Sequence, residues 1–155
     1  QEYQAEIQQA QIAKEAYEAN NKDKIDETNV PMADAAGIEF GKKTYDLKCK
    51  ACHGVGGEGT VGPNLTDDYW IHKGSLNDIY NTIKVGYSDK GMQSWAADFT
   101  PKEISNIASF IKTLKGTKPA NPKAPQGDLY SETATASNAD TSGAKVAADT
   151  TKVKK

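Results

Sequence analysis

The chain contains no arginine: all 19 of its basic residues are lysines. It therefore has no planar fork for bidentate phosphate recognition. With 21 acids and a net charge of -2, nothing in the balance points to nucleic acid. No apolar run approaches the ~20 residues that a membrane-crossing helix requires, and no signal peptide is legible. The first residue is Gln1 rather than Met, as expected of a processed chain or a cut soluble fragment, any anchor having been removed upstream. Hydrophobic residues are few, at 37% with a mean hydropathy of -0.70. Either the core is small or much of the chain lies outside it.

What is present divides into an acidic lead, a helical middle and a polar tail. Residues 1–36 carry eight acids and three lysines, 37–115 nine and ten, and 116–155 four and six. Tyr3, Ile7, Ala10 and Tyr17 share one helical face and predict a helix over about 2–20. Its apolar stripe is thin, which suits a solvated lead-in, or alternatively a stalk or docking helix. Residues 21–35, NKDKIDETNVPMADA, read as a charged linker. GIEFGKKTYDLKC predicts a helix over about 35–52, with Ile38, Tyr45 and Leu47 as its apolar positions. GVGGEGTVGPNL follows, too rich in glycine for regular structure. Ser75 as N-cap, then Leu76, Ile79, Tyr80 and Ile83 on one face, with Gly86 as terminator, predict the next helix. The strongest helical signal is TPKEISNIASFIKTLKG. Thr100 caps it, Pro101 takes the first helical position, Glu103 completes a capping box and Gly116 ends it. Its stripe is Ile104, Ile107, Phe110, Ile111 and Leu114.

The expected fold class is all-α, without a convincing strand or internal repeat. A lead-in helix and acidic linker occupy 1–35, the folded domain 36–116 and an extended Pro-rich segment 117–130. Residues 131–155 have too little apolar bulk to offset their ordering entropy and are expected to be disordered. A core this small rarely supplies more than ~3–5 kcal/mol unaided. Something should staple it.

Both cysteines and one of the two histidines fall within CKACHG: Cys49, Cys52 and His53. At i and i+3 near a helix end the cysteines project to one side, and His53 can point into the same space. Three chemistries compete for the cluster. Structural zinc needs four ligands, which only His72 and carboxylates could complete. A thioredoxin-like dithiol needs a βαβ context, and no strand pattern supplies one. Cys-x-x-Cys-His is also the attachment signature of c-type haem. There the thiols add to the porphyrin vinyl groups and the histidine becomes the proximal iron ligand. A porphyrin's flat apolar surface would supply the missing core, and the all-helical setting favours one covalent haem c.

GKKTYDLKCKACHGVGGEGTVGPNL, then MQSW, then TPKEISNIASFIKTLKG resembles a class I-type cytochrome c domain. The resemblance implies that Gly41 and Tyr45 on the first domain helix pack across Phe110 and Leu114 on the last. It implies that the Pro63 carbonyl accepts a hydrogen bond from the proximal histidine, fixing orientation and tautomer; plain stiffening of the loop is the alternative. The family's distal methionine corresponds to Met92, since Met32 lies in the linker ahead of the motif. His72 or an open sixth position are the alternatives, and this choice separates electron transfer from gas binding. Where the family pattern usually has proline after the methionine, this chain has Gln93. Trp95 is expected to pack near the haem or to cap the loop.

A narrower likeness extends over roughly 1–130. GPNLTDDYWIHKGSLNDIYNTIKVGYSDKGMQSW is similar to the cytochrome c subunit of cbb(3)-type haem–copper oxidases. PANPKAPQGDLY resembles that subunit's C-terminal extension, and EYQAEIQQAQ the segment leaving its membrane helix. That subunit commonly carries two haem c domains, whereas this chain has one Cys-x-x-Cys-His. The resemblance implies electron transfer with His53 and Met92 on the iron. Electrons would pass from a donor cytochrome or quinol-oxidising complex to oxidase core subunits, on the periplasmic side of the bacterial cytoplasmic membrane. The chain would not be catalytic alone. Lys42, Lys43, Lys48, Lys50, Lys73, Lys84 and Lys90 are candidates to steer an acidic partner to the haem edge, against the plainer reading of solvated charge. A free periplasmic shuttle and a five-coordinate haem sensor or peroxidase are the alternative functions.

Overall fold

The computed structural model describes residues 2–132. The tail expected to be disordered thus lies, from residue 133 onward, outside the described residues. In chain order the elements are α1 (Glu2–Asn21), α2 (Ala35–Lys48), α3 (Lys50–His53), β1 (Tyr69–Trp70), α4 (Leu76–Val85), α5 (Pro101–Thr113) and β2 (Asp128–Leu129). Among the described residues helix α1 packs against no other element, and its Tyr3, Ile7 and Ile12 are exposed. So thin a stripe offers a core little area. Among the described residues no helix is long and apolar enough to cross a membrane.

Helix α5 is the centre of the body, packing on both α2 and α4. Its Ile104, Ile107, Ala108 and Ile111 are buried with Tyr45 of α2 and Ile79, Tyr80 and Ile83 of α4, while Phe110 and Leu114 are partly buried beside them. Helices α5 and α4 each start on a capping box. Thr100 accepts from the Glu103 amide while Glu103 accepts from the Thr100 amide, and Ser75 and Asp78 do the same. Reciprocal caps satisfy amides that have no partner within the helix, and losing such a cap costs about 1 kcal/mol. Helices α2 and α5 cross at very short range. A Cβ on Gly41 would fall 2.3 Å from the Asn106 carbonyl oxygen, so only glycine lets the two backbones meet.

Several expectations change. The helix expected over 35–52 breaks at Cys49, which caps both α2 and α3. Leu47 is 80% exposed: two residues from Tyr45 it lies roughly 200° around the helix and cannot share its face. Strands β1 and β2 pair antiparallel, Tyr69 opposite Leu129 and Trp70 opposite Asp128. Two residues are too few to show the alternation that marks a strand.

The segment read as a charged linker lies along the body. The Asp23 carbonyl accepts from the Lys102 amide at 3.1 Å, Asn77 Oδ1 from the Val30 amide at 2.8 Å and Ser109 Oγ from the Ala33 amide at 2.9 Å. The Glu27 carboxylate accepts from Lys84 Nζ at 2.7 Å and from the Tyr80 hydroxyl at 2.5 Å. Val30 is buried. These partners are scattered along α4 and α5, so no local periodicity announces the contact.

Candidate functional site

The reactive cluster is formed by one short turn. The Cys49 amide donates to the Tyr45 carbonyl at 2.9 Å, and the amides of Cys52 and His53 donate to the Cys49 carbonyl at 3.1 and 3.0 Å. Cys49 is half-buried and Cys52 exposed, and both thiols are free. Tyr45, fully buried, donates its hydroxyl to the Gly54 carbonyl at 2.7 Å and stacks at a tilt on Phe110 with centroids 5.4 Å apart. The turn is therefore bolted to the α2–α5 crossing.

The loop after the turn folds back over the histidine. Amides of Thr60 and Gly62 both donate to the Cys52 carbonyl, at 3.1 and 2.7 Å. His53 Nδ1 lies 3.0 Å from the Pro63 carbonyl oxygen. A carbonyl only accepts, so Nδ1 carries the proton and Nε2 keeps its lone pair. Burial holds His53 below the ordinary histidine range, opposed by the Pro63 bond and assisted by the charge of Lys123. The ring is thus neutral, as a metal ligand must be. A Cβ on Gly62 would come within 2.7 Å of His53 Cε1, so the loop lies flat on the imidazole.

Met92 comes from elsewhere. It pairs with Tyr87 through two backbone bonds, Tyr87 N to Met92 O at 2.7 Å and Met92 N to Tyr87 O at 3.0 Å, across a 3-10 turn at Ser88–Lys90. Ser94 Oγ donates to the Lys84 carbonyl at 2.6 Å, and the Trp95 amide to that of Ile83 at 3.1 Å. The loop is so tied to the end of α4. Met92, Trp95 and Cys49 all pack against the same core cluster, and Trp95 meets Phe99 with ring centroids 5.8 Å apart. His72 stacks in parallel on Tyr87 at 3.5 Å between centroids. Of the seven lysines considered for steering, Lys84 is paired with Glu27 and Lys43 with Glu39.

The donor set fits covalent haem c better than its rivals. Burial, with Cys52 beside it, pushes the Cys49 thiol up to about 11, the reverse of the poised thiolate of a redox dithiol. Among the described residues no three histidine, cysteine or carboxylate side chains are grouped to hold a metal ion. What the cluster does hold is two free thiols, one of them exposed, and an oriented, neutral imidazole with one free nitrogen. Gly62, Tyr45 as a bolt on the turn, Tyr87 and Lys123 have site roles that the sequence alone did not reveal. A glycine beside a histidine-binding proline was the one available hint.

Turn, loop and crossed helices together define a cytochrome c domain. A solved cytochrome cL from Methylophaga aminisulfidivorans MPT shares that architecture, with a TM-score of 0.50 and 27% identity over 56% of this chain and 59% of its own. More narrowly, residues 36–111 match the family model described as cytochrome c oxidase, cbb3-type, subunit III. Among curated relatives, the cbb3-type cytochrome c oxidase subunit FixP of Azorhizobium caulinodans is 33% identical over 79% of this chain and 45% of its own length. Subunit CcoP of Azospirillum sp. strain B510 is 33% identical over 70% of this chain and 41% of its own. The chain spans less than half the length of these relatives.

Proposed function

We propose that this chain transfers single electrons through one covalently held haem c, as the cytochrome part of a subunit that feeds a cbb3-type oxidase. The observation that carries the reading is the Cys49–Cys52–His53 turn with Nδ1 bound to the Pro63 carbonyl at 3.0 Å. Cys49 and Cys52 would hold the ring as thioethers, and His53 and Met92 would be the iron ligands. Bound there, the haem supplies a one-electron iron couple. The protein's part is to keep His53 neutral and aimed, to present the Met92 thioether from a loop with a fixed backbone, and to pack Trp95 beside it. A thioether opposite an imidazole raises the potential relative to two histidines. That suits a position late in a respiratory chain.

Exposed Cys52 marks the side at which electrons enter and leave, and Val55 and Val61, 74% and 78% exposed, stand in the loop beside it. The relatives are named as oxidase subunits, which supports oxidase core subunits as acceptor and a periplasmic setting with membrane attachment outside this chain. We assign the haem domain to 36–116, with the 23–34 strap docked on it and 117–130 as an extension. In-gel haem staining after denaturation tests the assignment. A stained band that is lost in Cys52→Ala is expected, and an unstained wild-type band would refute it.

A further inference from the structure

We propose that Lys123 is a positioning residue for the proximal histidine: its ammonium gathers the loop carbonyls that precede Pro63, and its charge favours the reduced iron. The inference rests on the haem reading above.

After α5 the chain returns across the histidine loop. The Gly116 amide donates to the Thr66 carbonyl at 2.9 Å, the Lys123 amide to that of Glu58 at 2.8 Å and the Tyr130 amide to that of Asp68 at 2.8 Å. Asn64 Nδ2 donates to the Lys123 carbonyl at 3.2 Å, so residue 123 is held from both ends of the 58–64 loop. From this anchor Lys123 Nζ reaches the carbonyls of Val61 and Gly62, at 3.3 and 3.4 Å. Those two peptides stand directly before Pro63, and Gly62 lies against the imidazole itself. A half-buried cation there acts twice. It draws both carbonyls toward itself, which sets the loop that presents the Pro63 oxygen to Nδ1. It also disfavours further positive charge on the histidine side, and oxidation of the iron is such a charge. Among the described residues no carboxylate forms an ion pair with Lys123, so its field is not neutralised.

The test is a redox titration of the haem-loaded chain and of Lys123→Gln, Lys123→Met and Lys123→Arg. Removal of the charge in the Gln and Met variants should lower the reduced-to-oxidised ratio about threefold at fixed ambient potential, a shift of about 28 mV for one electron. Lys123→Arg should stay close to wild type. Failure of the Gln and Met variants to attach haem while Arg attaches it would also support the role, since the charge would then be what holds the loop. Unchanged potentials in the Gln and Met variants overturn the proposal, as does an Arg variant that shifts, or loses haem, as they do. A wild-type chain without covalent haem is a separate result, which refutes the proposed function itself.

Discussion

The two sides of the proposed iron site are held by opposite means. On the proximal side, Cys49, Cys52 and His53 are near neighbours in the chain, and loop 58–64 with the Lys123 strap closes over the histidine ring. On the distal side, one methionine hangs on a loop between α4 and α5, and the contacts that hold that loop run mainly through its backbone: Tyr87 with Met92, and Trp95 with Ile83. A histidine gripped through its own ring nitrogen resists substitution, because orientation and tautomer depend on that side chain. A methionine on an independently held backbone can be exchanged while the loop remains. On the proposed haem reading, the proximal side would govern whether the cofactor is held, and the distal side what else the iron could bind.

This contrast can be broken most severely at the turn. Cys49→Ala with Cys52→Ala should abolish haem staining altogether. Met92→Ala should keep the stain, but lose the charge-transfer absorption of a methionine–iron bond and gain carbon monoxide binding in the reduced state. Equal loss of stain in both variants would erase the difference between the two sides. A smaller effect is expected from glycine substitutions. A Cβ at Gly86 would lie 2.4 Å from the backbone of Gln93, at φ +69, so Gly86→Ala should cost about 1–3 kcal/mol of stability in thermal unfolding. At Gly62 the obstruction is the His53 ring, so Gly62→Ala should chiefly disturb the haem spectrum and potential. The reverse pattern would place the rigid backbone on the proximal side instead.

The smallest effect concerns the 23–34 strap, whose hydrogen bonds run to α4 and α5. Lys84 and Tyr80 hold Glu27 below the ordinary carboxylate range. A lowered folded value means stability that is present above the unfolded value of 4.5 and is lost as pH falls through the folded one. Glu27→Gln should therefore flatten stability against pH below about 4.5 and, because the pair is well exposed, cost under ~1 kcal/mol at neutral pH. Urea unfolding at pH 7 and pH 4 gives both quantities; a wild-type chain as acid-sensitive as the variant would remove Glu27 from the account.

Much of the body was legible because it rests on local rules. The caps at Ser75 and Thr100 and the stripe Ile104, Ile107, Ile111 are patterns within single turns, and each reappears in the structure. The break at Cys49 was not legible, since a helix that restarts after one residue leaves the same periodicity. Leu47 was misplaced because two residues along a helix is the wrong spacing for a shared face. The 23–34 strap, the β1–β2 pair and the return of Lys123 to the loop join segments far apart in sequence. Polar hydrogen bonds between such segments have no period to read.

By itself the sequence determined α4 and α5 with their caps, and the chemistry of the turn, because two cysteines and a histidine at that spacing are a local fact. Only the tertiary structure decided which histidine nitrogen is free, how closely α2 meets α5 and which distant lysine reaches the loop. The physical reason is range. Caps and turns are settled by residues within about four positions of one another, whereas a tautomer, a helix crossing and a field at a ring depend on groups that only folding brings together.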